Sequence, residues 1–532
     1  MRAPRKGIEP VIGCIIASLL VLVAGPPFDA WPLCAFALVP LLLALRGRSV
    51  LEATLLGWLF GTLVNLGTQS WVSDALMAFA HFSRSSSVVA LLCVSLMQGA
   101  AFGVFGLGSV LAERFKLSPF LAIPLLFGVC ESLVPYVFPW NVGVIAWRLW
   151  PLTQVAELGG AAAVSALLGL INVVVGALVV ARVRRAPLPS DFRPAVIWLT
   201  AIVTVGVLRA GQVAWVEKAS PQLKVAVIQP NVGIVSAEAR KKHGDEYLAV
   251  MRRMTDAAQA SGAELIVWPE SSFPYVIDRQ ADREFATDHP WSLRTTRSAH
   301  LLFGSLTHRF GDSVVYNSAV LLTPEGRVKG IYDKRRLLPF GEYIPFKNRY
   351  PEWAKRLRAD MPDWPEIEAG GELRLLTDGP LRIGALVCYE DVFPMTELRE
   401  ANVLVTVANH AWFGAWAPRQ ALAVATLRAI ELRRPLVRST NNGVSSIGDA
   451  LGRVIAEAPV RDVKNESDGP QTLQATIALL EIPAMGPLTA PLFPWVCGAL
   501  LAALVLRGRR RASRDAQSGK PPRGAARGQT RW

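Results

Sequence analysis

Long apolar runs separated by short charged connections dominate both ends of this 532-residue chain. A helix that crosses the hydrocarbon of a bilayer needs roughly 20 mainly apolar residues. Runs approaching that length lie before about Ala214 and after about Pro491, whereas Gln222 to Ile482 has the mixture of charges, prolines and short strands of a globular domain. The hydrophobic content of 52% with only 18% charged residues agrees with a membrane protein that carries one large aqueous domain.

The apolar runs predict eight membrane helices, seven before the globular domain and one after it. The predicted spans are Val11–Val23, Leu33–Ala44, Leu51–Leu66, Val88–Leu111, Phe120–Val137, Ala161–Val180, Ala195–Val207 and Leu492–Leu506. The first run could alternatively be a signal peptide. No small-x-small cleavage site follows it, because Leu22 occupies a position that requires a small residue, so a retained helix is favoured.

Basic residues are concentrated in alternate connections between these spans, which predicts their orientation. The cationic connections contain Arg46 and Arg48, Arg114 and Lys116, and Arg182, Arg184, Arg185 and Arg193, and the two chain ends are also basic. The prediction is a membrane bundle over 1–215, a globular domain over 222–482 outside the membrane, a returning helix over 489–507 and a basic cytoplasmic tail over 508–532. In a Gram-negative cell this places the globular domain in the periplasm and the bundle in the inner membrane. The tail is rich in Arg, Gly, Pro and Ser, so we expect it to be disordered.

The net charge of +14 does not indicate a nucleic-acid partner. Much of it lies in the cytoplasmic connections and the tail, where orientation and attraction to anionic lipid explain it. The sequence has no base-reading motif, no phosphate-cradling glycine loop and no paired Cys/His spacing for a metal. We therefore expect no nucleic acid, no metal and no cofactor.

Cys388 is the only cysteine between the apolar ends, in the segment Ala385-Leu-Val-Cys-Tyr-Glu-Asp391. An apolar strand leads to the thiol and a polar turn follows it, which is a suitable position for a nucleophile. Exported domains usually carry cysteines in disulfide pairs, so a lone thiol there indicates a chemical role. The alternative is a buried, inert cysteine.

Two further strand-end residues have the chemistry that thiol catalysis requires. A free thiol is mostly protonated at neutral pH, so a carboxylate must take its proton and an ammonium can hold the charge that develops. Glu270, in Val267-Trp-Pro-Glu270, fits the base, and Lys334, in Tyr332-Asp-Lys334, fits the cation. Taken singly, such residues are usually solvated surface charges.

In this order and context, Glu270, Lys334 and Cys388 resemble the triad of the nitrilase (carbon–nitrogen hydrolase) superfamily. With the flanking apolar segments, the whole chain resembles the bacterial apolipoprotein N-acyltransferase family. The resemblance implies a multi-pass helical bundle plus an α/β nitrilase-like α-β-β-α sandwich. It implies that Glu270 is the general base, that Lys334 supports the oxyanion and thiolate, and that Cys388 carries the covalent intermediate.

The same resemblance implies supporting roles for Glu342 in Pro339-Phe-Gly-Glu342 and for Tyr389 and Glu390 after the nucleophile. We expect Glu342 to orient Lys334 or to share proton transfer, and the Tyr389 backbone N–H to complete an oxyanion hole with Lys334. The segments Asn409 to Gly414, Arg428 to Glu431 and Arg434 to Gly443 also resemble the family, and we interpret most of their residues as structural.

Two positions depart from the family pattern. His410 follows Asn409 where the family usually has Asp, and Glu238 stands near the place where many members carry a Trp. Without a second ligand at useful spacing, His410 is interpreted as a surface or loop residue rather than a metal ligand. These departures bear on substrate contacts and leave the triad complete.

The function implied is transfer of an acyl chain from a membrane phospholipid, through a thioester on Cys388, to the N-terminal amine of a diacylglyceryl apolipoprotein by a monomeric enzyme. One alternative is a membrane-anchored nitrilase-like amidase, in which water attacks the intermediate and the substrate is a small soluble amide. Another is a transporter or lipid-binding protein with a degenerate domain. Against the latter, the triad is complete and the predicted spans show no evident line of paired charges.

Overall fold

The computed structural model of the protein describes residues 7–232, 237–311, 314–359, 366–411, 413–414, 416–460 and 469–517. The chain forms two compact units. One comprises Met1–Ser70, Val89–Ala210 and Leu488–Trp532, and the other comprises Trp71–Val88 and Gly211–Pro487. The short segment Trp71–Val88 therefore belongs with the globular part, although apolar helices precede and follow it in sequence.

Apolar helices occupy the chain up to Ala219. They are α1 Glu9–Ala24, α2 Val39–Leu45, α3 Val50–Thr68, α4 Trp71–Phe79, α5 Arg84–Arg114, α6 Pro119–Cys130, α7 Trp150–Thr153, α8 Ala156–Arg184 and α9 Phe192–Ala219. Among the described residues, α3, α5, α8 and α9 are long and apolar enough to cross a membrane. The first, second and fifth predicted spans correspond to shorter apolar helices, and the second begins as a 3₁₀ turn at Trp31–Ala35 before α2.

The fifth predicted span, Phe120–Val137, is too long at its C-terminal end, because α6 ends at Cys130. The chain then turns at Glu131, whose buried carboxylate accepts hydrogen bonds from the Val142 backbone N–H and the Asn141 side chain. Pro135 also disfavours helical geometry in the residue before it. The helix therefore does not continue, and the Glu131 carboxylate holds the irregular segment that follows it through these hydrogen bonds.

One buried ion pair lies in the helical unit, where no line of paired charges was evident in the sequence. Arg209 of α9 donates from Nε and one terminal nitrogen to the carboxylate of Glu157 in the first turn of α8, with a shortest distance of 2.8 Å. Glu157 lies near the start of α8, whereas Arg209 lies within α9. The pair therefore joins two helices.

The globular unit is built on two β-sheets. Its strands are β1 Gln222–Gln229, β2 Leu265–Val267, β3 Ile277–Asp278, β4 His300–His308, β5 Val315–Leu322, β6 Val328–Asp333, β7 Leu376–Asp378, β8 Leu381–Val387, β9 Val403–Ala408, β10 Leu436–Thr440, β11 Ser445–Gly448, β12 Val454–Ala458 and β13 Gln471–Ala478. The first sheet has the order β13-β1-β2-β4-β5-β6, with β3 paired to β4. The second has the order β12-β11-β10-β9-β8-β7.

The two sheets pack face to face between two helical layers. Buried Val, Leu and Ile side chains of β1, β2, β8, β9 and β10 form one apolar core between the sheets. On the outer face of the first sheet, helix α10 (Ala237–Ala260) contributes Leu248 and Met251 to a second core. On the outer face of the second sheet, α12 (Trp416–Leu432) contributes Ala425 and Ala429 to a third. The layers are therefore α-β-β-α, as the resemblance implied.

Three further helices complete the described chain, and the last one corrects a prediction. They are α11 Pro351–Ala359, α13 Gly486–Thr489 and α14 Phe493–Gln517. The prediction of a helix ending at 507 and a disordered tail from 508 was wrong for residues 508–517, which continue α14. Most of these residues, Arg and Ala above all, are strong helix formers. Residues 518–532 lie outside the described part of the chain.

Strand direction brings several strand ends to the same region of the sandwich. In the first sheet β2 runs parallel to β4, and β6 runs parallel to both because it is two antiparallel steps from β4. In the second sheet β8 and β9 are parallel. Glu270, Lys334, Cys388 and Asn409 each follow the carboxyl end of one of these strands, so they meet although they are far apart in sequence.

Candidate active site

Cys388 lies at the point where strand β8 ends and a 3₁₀ turn, Cys388–Val392, begins. Its backbone has a positive φ of 60°, which is uncommon for a residue with a side chain. The thiol is buried, with 4% of the residue exposed, and lies at the edge of the core between the sheets. The buried strand before it and the bend after it hold the sulfur in one place.

Glu270 receives hydrogen bonds on both carboxylate oxygens. Oε1 accepts from Nδ2 of Asn317 at 2.7 Å and from Nζ of Lys334 at 3.2 Å. Oε2 accepts the backbone N–H of Asn409 at 2.9 Å. Only 7% of Glu270 is exposed, so these donors replace water as partners of its charge.

Lys334 forms ion pairs with two carboxylates. Its Nζ lies 3.2 Å from Glu270 Oε1 and 3.0 Å from Glu342 Oε1, and 1% of the residue is exposed. Burial by itself would lower the pKa of Lys334, but Glu270 and Glu342 outweigh it and raise the pKa well above its usual value. The side chain is therefore a permanent cation near neutral pH.

The thiol of Cys388 is the neutral member of this cluster. Burial raises its pKa well above the usual range, and the negative charge of Glu270 raises it further; Lys334 acts in the opposite direction. The resting group is consequently a thiol rather than a thiolate. Any reaction at this sulfur would need a base to take the thiol proton, and Glu270 is a nearby carboxylate.

Glu342 is the second carboxylate that pairs with Lys334. Its second oxygen, Oε2, accepts the backbone N–H of Leu338 at 2.8 Å, which anchors the loop after β6. The structure thus brings Glu342 into contact with Lys334, which is the arrangement that an orienting role needs.

Asn317 is part of the cluster and was not identified from the sequence. Its Nδ2 donates to Glu270 Oε1 at 2.7 Å and to Glu342 Oε1 at 2.8 Å. It lies within strand β5, where Tyr316-Asn-Ser318 gives no local signal of a functional site. From the sequence, the only indication of a functional role was a polar residue between two apolar stretches.

Glu390 links the turn after β6 to the turn after β8. Its carboxylate accepts the backbone N–H groups of Arg335 and Arg336, directly after Lys334, at 2.9 and 3.0 Å, and that of Val387, directly before Cys388, at 2.9 Å. The hydroxyl of Tyr332 donates to the same carboxylate at 3.0 Å. Glu390 therefore fixes the spacing between the lysine turn and the cysteine turn.

Tyr389 closes one side of the cluster. Its hydroxyl donates to the carbonyl of Leu337 at 2.8 Å, and its ring lies 5.8 Å from Lys334 Nζ. The next residue but one, Asp391, forms a fully buried ion pair in which Arg438 Nε donates at 2.8 Å. This pair holds the end of the 3₁₀ turn against strand β10.

His410 lies in the loop after β9, but the interpretation as a surface residue was wrong, because only 3% of it is exposed. Its Nδ1 donates to the carbonyl of Gly443 at 3.4 Å. Burial, and then the positive charge of Arg438, lower the pKa of His410 to about 3, so the ring is neutral at physiological pH. Within the described residues no group of three His, Cys, Asp or Glu side chains could hold a metal ion. Glu238 is the second residue of helix α10, but its side chain lies outside the described part of the structure.

Comparisons with known proteins agree with this architecture. Residues 224–482 match the family model for carbon-nitrogen hydrolase, and residues 17–174 match that for the apolipoprotein N-acyltransferase N-terminal domain. The apolipoprotein N-acyltransferase of Azotobacter vinelandii is 31% identical over 480 residues, covering 86% of this chain and 88% of that protein. That of Geobacter metallireducens is 29% identical over 509 residues, covering 93% and 94%.

Among solved structures, Saccharomyces cerevisiae Nit3, a member of branch 10 of the nitrilase superfamily, is also similar. It matches 48% of this chain and 90% of its own length, with 13% identity and a TM-score of 0.34.

Proposed function

This chain belongs to the apolipoprotein N-acyltransferase family, and on that premise we propose that it moves an acyl chain from a phospholipid to the N-terminal amine of a diacylglyceryl apolipoprotein by way of a Cys388 thioester. The observation that carries the proposal is the buried ion pair of Glu270 and Lys334, with which the buried Cys388 thiol interacts electrostatically. A base, a cation and a nucleophile gathered in one buried cluster are the groups that acyl transfer through a thioester requires.

In the first half-reaction the thiol proton passes to Glu270 while the sulfur attacks the ester carbonyl of the phospholipid. The negative charge on the carbonyl oxygen is held by Lys334 and the backbone N–H of Tyr389, and one such donor contributes about 3 kcal/mol to catalysis. The C–O bond then breaks. Glu270 returns its proton to the departing oxygen, so a lysophospholipid leaves and the acyl chain stays on sulfur.

In the second half-reaction the free amine of the lipoprotein attacks the thioester. A proton leaves the nitrogen as the C–N bond forms, and Glu270 accepts it. The C–S bond breaks and Glu270 returns the proton to sulfur. The products are an N-acylated lipoprotein and the original thiol, so the cycle consumes no cofactor. The same Glu270 acts as base and acid in both halves.

The apolar helices account for the choice of lipid substrates. A catalytic unit attached to helices that cross a membrane stays near the bilayer, where both the phospholipid and the lipidated acceptor are located. The alternating basic connections in the sequence support a catalytic unit on the periplasmic side of an inner membrane.

The test is acyl capture by the full-length protein in detergent. Purified chain is incubated with a phospholipid that carries a labelled acyl chain, and the label on the Cys388 peptide is followed with and without neutral hydroxylamine. We expect a hydroxylamine-labile label that is lost in Cys388→Ala, and a transfer of that label when a diacylglyceryl-cysteine peptide is added. Absence of label on the wild type, together with release of ammonia from soluble amides, would identify an amidase instead.

A further inference from the structure

Asn317 bridges the two glutamates of the site. Its Nδ2 donates to Oε1 of Glu270 at 2.7 Å and to Oε1 of Glu342 at 2.8 Å. Lys334 Nζ donates to the same two oxygens at 3.2 and 3.0 Å. The four atoms form a closed ring in which two carboxylate oxygens alternate with two nitrogen donors.

The backbone fixes Asn317 in this place. It lies on strand β5, paired with Leu306 of β4, and its carbonyl accepts the backbone N–H of Lys334 at 2.8 Å. Asn317 is 4% exposed, so water does not compete for its amide. Among the residues that the structure describes, its Oδ1 has no hydrogen-bond partner. A flipped amide would place that oxygen against two carboxylate oxygens, so the observed orientation is the favourable one.

The net charge of this ring determines whether a neutral or a cationic hydrogen-bond donor is suitable at position 317. Two carboxylates, Glu270 and Glu342, face one cation, Lys334, so the three side chains as ions carry one net negative charge. Because Lys334 cannot neutralise both carboxylates, one of them can accept the thiol proton. A second cation in place of Asn317 would stabilise both carboxylates as anions and weaken the base. A neutral amide supplies two hydrogen-bond donors without removing that capacity.

We propose that Asn317 is a positioning residue that holds the Glu270 carboxylate in place beside Lys334 and Cys388 and favours its ionised form. The proposal rests on the assignment of Glu270 as the base in the proposed function. A donor to a carboxylate stabilises its ionised form, so loss of the Asn317 amide makes Glu270 take up a proton at a higher pH. Glu270 that is already protonated cannot deprotonate Cys388. Other titratable groups interact electrostatically with Lys334 of this cluster, and these are Cys388, Tyr389, Tyr332, Glu390 and His410.

The experiment measures how fast Cys388 reacts with iodoacetamide across the range from about pH 5 to about pH 9. The full-length protein is used in detergent, and carboxamidomethylation is quantified on the Cys388 peptide by mass spectrometry. The wild type is compared with Asn317→Ala and with Asn317→Asp, which keeps the shape of the side chain and replaces the donor by an oxygen. Ser318→Ala is the matched control, since Ser318 is the next residue on the strand and bonds to Thr307 and Asp333 instead.

We expect the acidic limb of the rate profile to move up by about one pH unit in Asn317→Ala, because the energy of a hydrogen bond to a charged group corresponds to a shift of about that size. It should move further in Asn317→Asp and stay in place in Ser318→Ala. Coincident acidic limbs for the wild type and the two Asn317 variants would overturn the proposal. If Asn317→Ala folds poorly, as judged by its melting temperature against Ser318→Ala, Asn317→Asp decides the question.

Alkylation needs no lipid, so this test is separate from that of the proposed function. A wild type that takes no acyl label but shows the shift in alkylation would refute the proposed reaction and leave the role of Asn317 intact. A wild type that takes the label, with no alkylation shift in either Asn317 variant, would support the proposed reaction and refute the role of Asn317.

Discussion

Gly304 lies directly against the backbone of Glu270. A Cβ atom on Gly304 would stand 2.5 Å from the Glu270 Cα and 2.7 Å from the Pro269 carbonyl oxygen, distances that side-chain atoms do not adopt. The Gly304 N–H also donates to that same carbonyl at 3.2 Å. The missing side chain on β4 is therefore what lets the chain after β2 carry its carboxylate into the site.

The first prediction concerns Gly304→Ala. The added methyl meets backbone atoms, which cannot turn away, so Glu270 must move. We expect a cost of about 1 to 3 kcal/mol in the free energy of unfolding and at least a roughly tenfold loss of thioester formation. Gly371→Ala is the control, because nothing lies within 4 Å of a Cβ there. Equal acylation rates in the two variants would contradict the prediction.

A second prediction separates the partners of Glu390. In Glu390→Gln one oxygen becomes an amide donor that faces a backbone N–H, so a buried donor loses its acceptor. We expect a loss of about 1.5 to 3 kcal/mol in stability and slower alkylation of Cys388. Tyr332→Phe removes only one of the four donors and should cost about 1 kcal/mol, with alkylation close to wild type. Urea unfolding and the alkylation rate give both values, and a Tyr332→Phe effect as large as that of Glu390→Gln would count against this account.

The third prediction concerns the buried pair of Asp391 and Arg438, both with fully buried side chains. Arg438→Met leaves a buried carboxylate without its cation, which we expect to cost about 3 to 5 kcal/mol. Asp391→Asn combined with Arg438→Met removes both charges and should recover part of that loss. The measurement is a double-mutant cycle of unfolding free energies. Additive effects of the two substitutions would show that the pair is not coupled.

A fourth prediction uses the titration of His410. Its pKa is lowered to about 3 in the folded chain, mainly by burial, and is about 6.5 when unfolded. The unfolded state therefore binds the proton first, and stability falls as the pH drops from about 6.5 towards about 3, by up to about 1.4 kcal/mol per pH unit. His410→Gln should lessen this slope while leaving the pH profile of Cys388 alkylation near neutral pH unchanged. An unchanged slope would indicate that the ring is protonated in the folded protein.

The sequence was most informative where apolar strands end. The apolar residues before Glu270 and Cys388 predict buried strands, and the polar residues after them predict turns, so these positions could be singled out without a structure. Asn317 could not, because it lies inside a strand and its partners come from two other segments. The donation from the Asn409 backbone to Glu270 was also inaccessible, since a backbone N–H carries no sequence signature.

The burial of loop residues could not be predicted from the local sequence pattern either. His410 follows a strand and was interpreted as a surface or loop residue, yet it is buried and bonded to the Gly443 carbonyl. In the same way, the composition of residues 508–517 indicated disorder although each residue alone favours or tolerates a helix. The burial of a loop residue depends on tertiary packing, and the extension of a helix depends on the residues before it. Neither can be inferred from a short window of sequence.

The left-handed backbone conformation of Cys388 lowers the stability of the fold at the position of the proposed nucleophile. A residue with a Cβ is penalised by about 1 kcal/mol or more in that region, and glycine is not. Cys388→Gly should therefore melt at a higher temperature than the equally inactive Cys388→Ala. Selection for thermal stability alone would favour glycine at this position, so under the proposed function the chain keeps its nucleophile at a cost in stability.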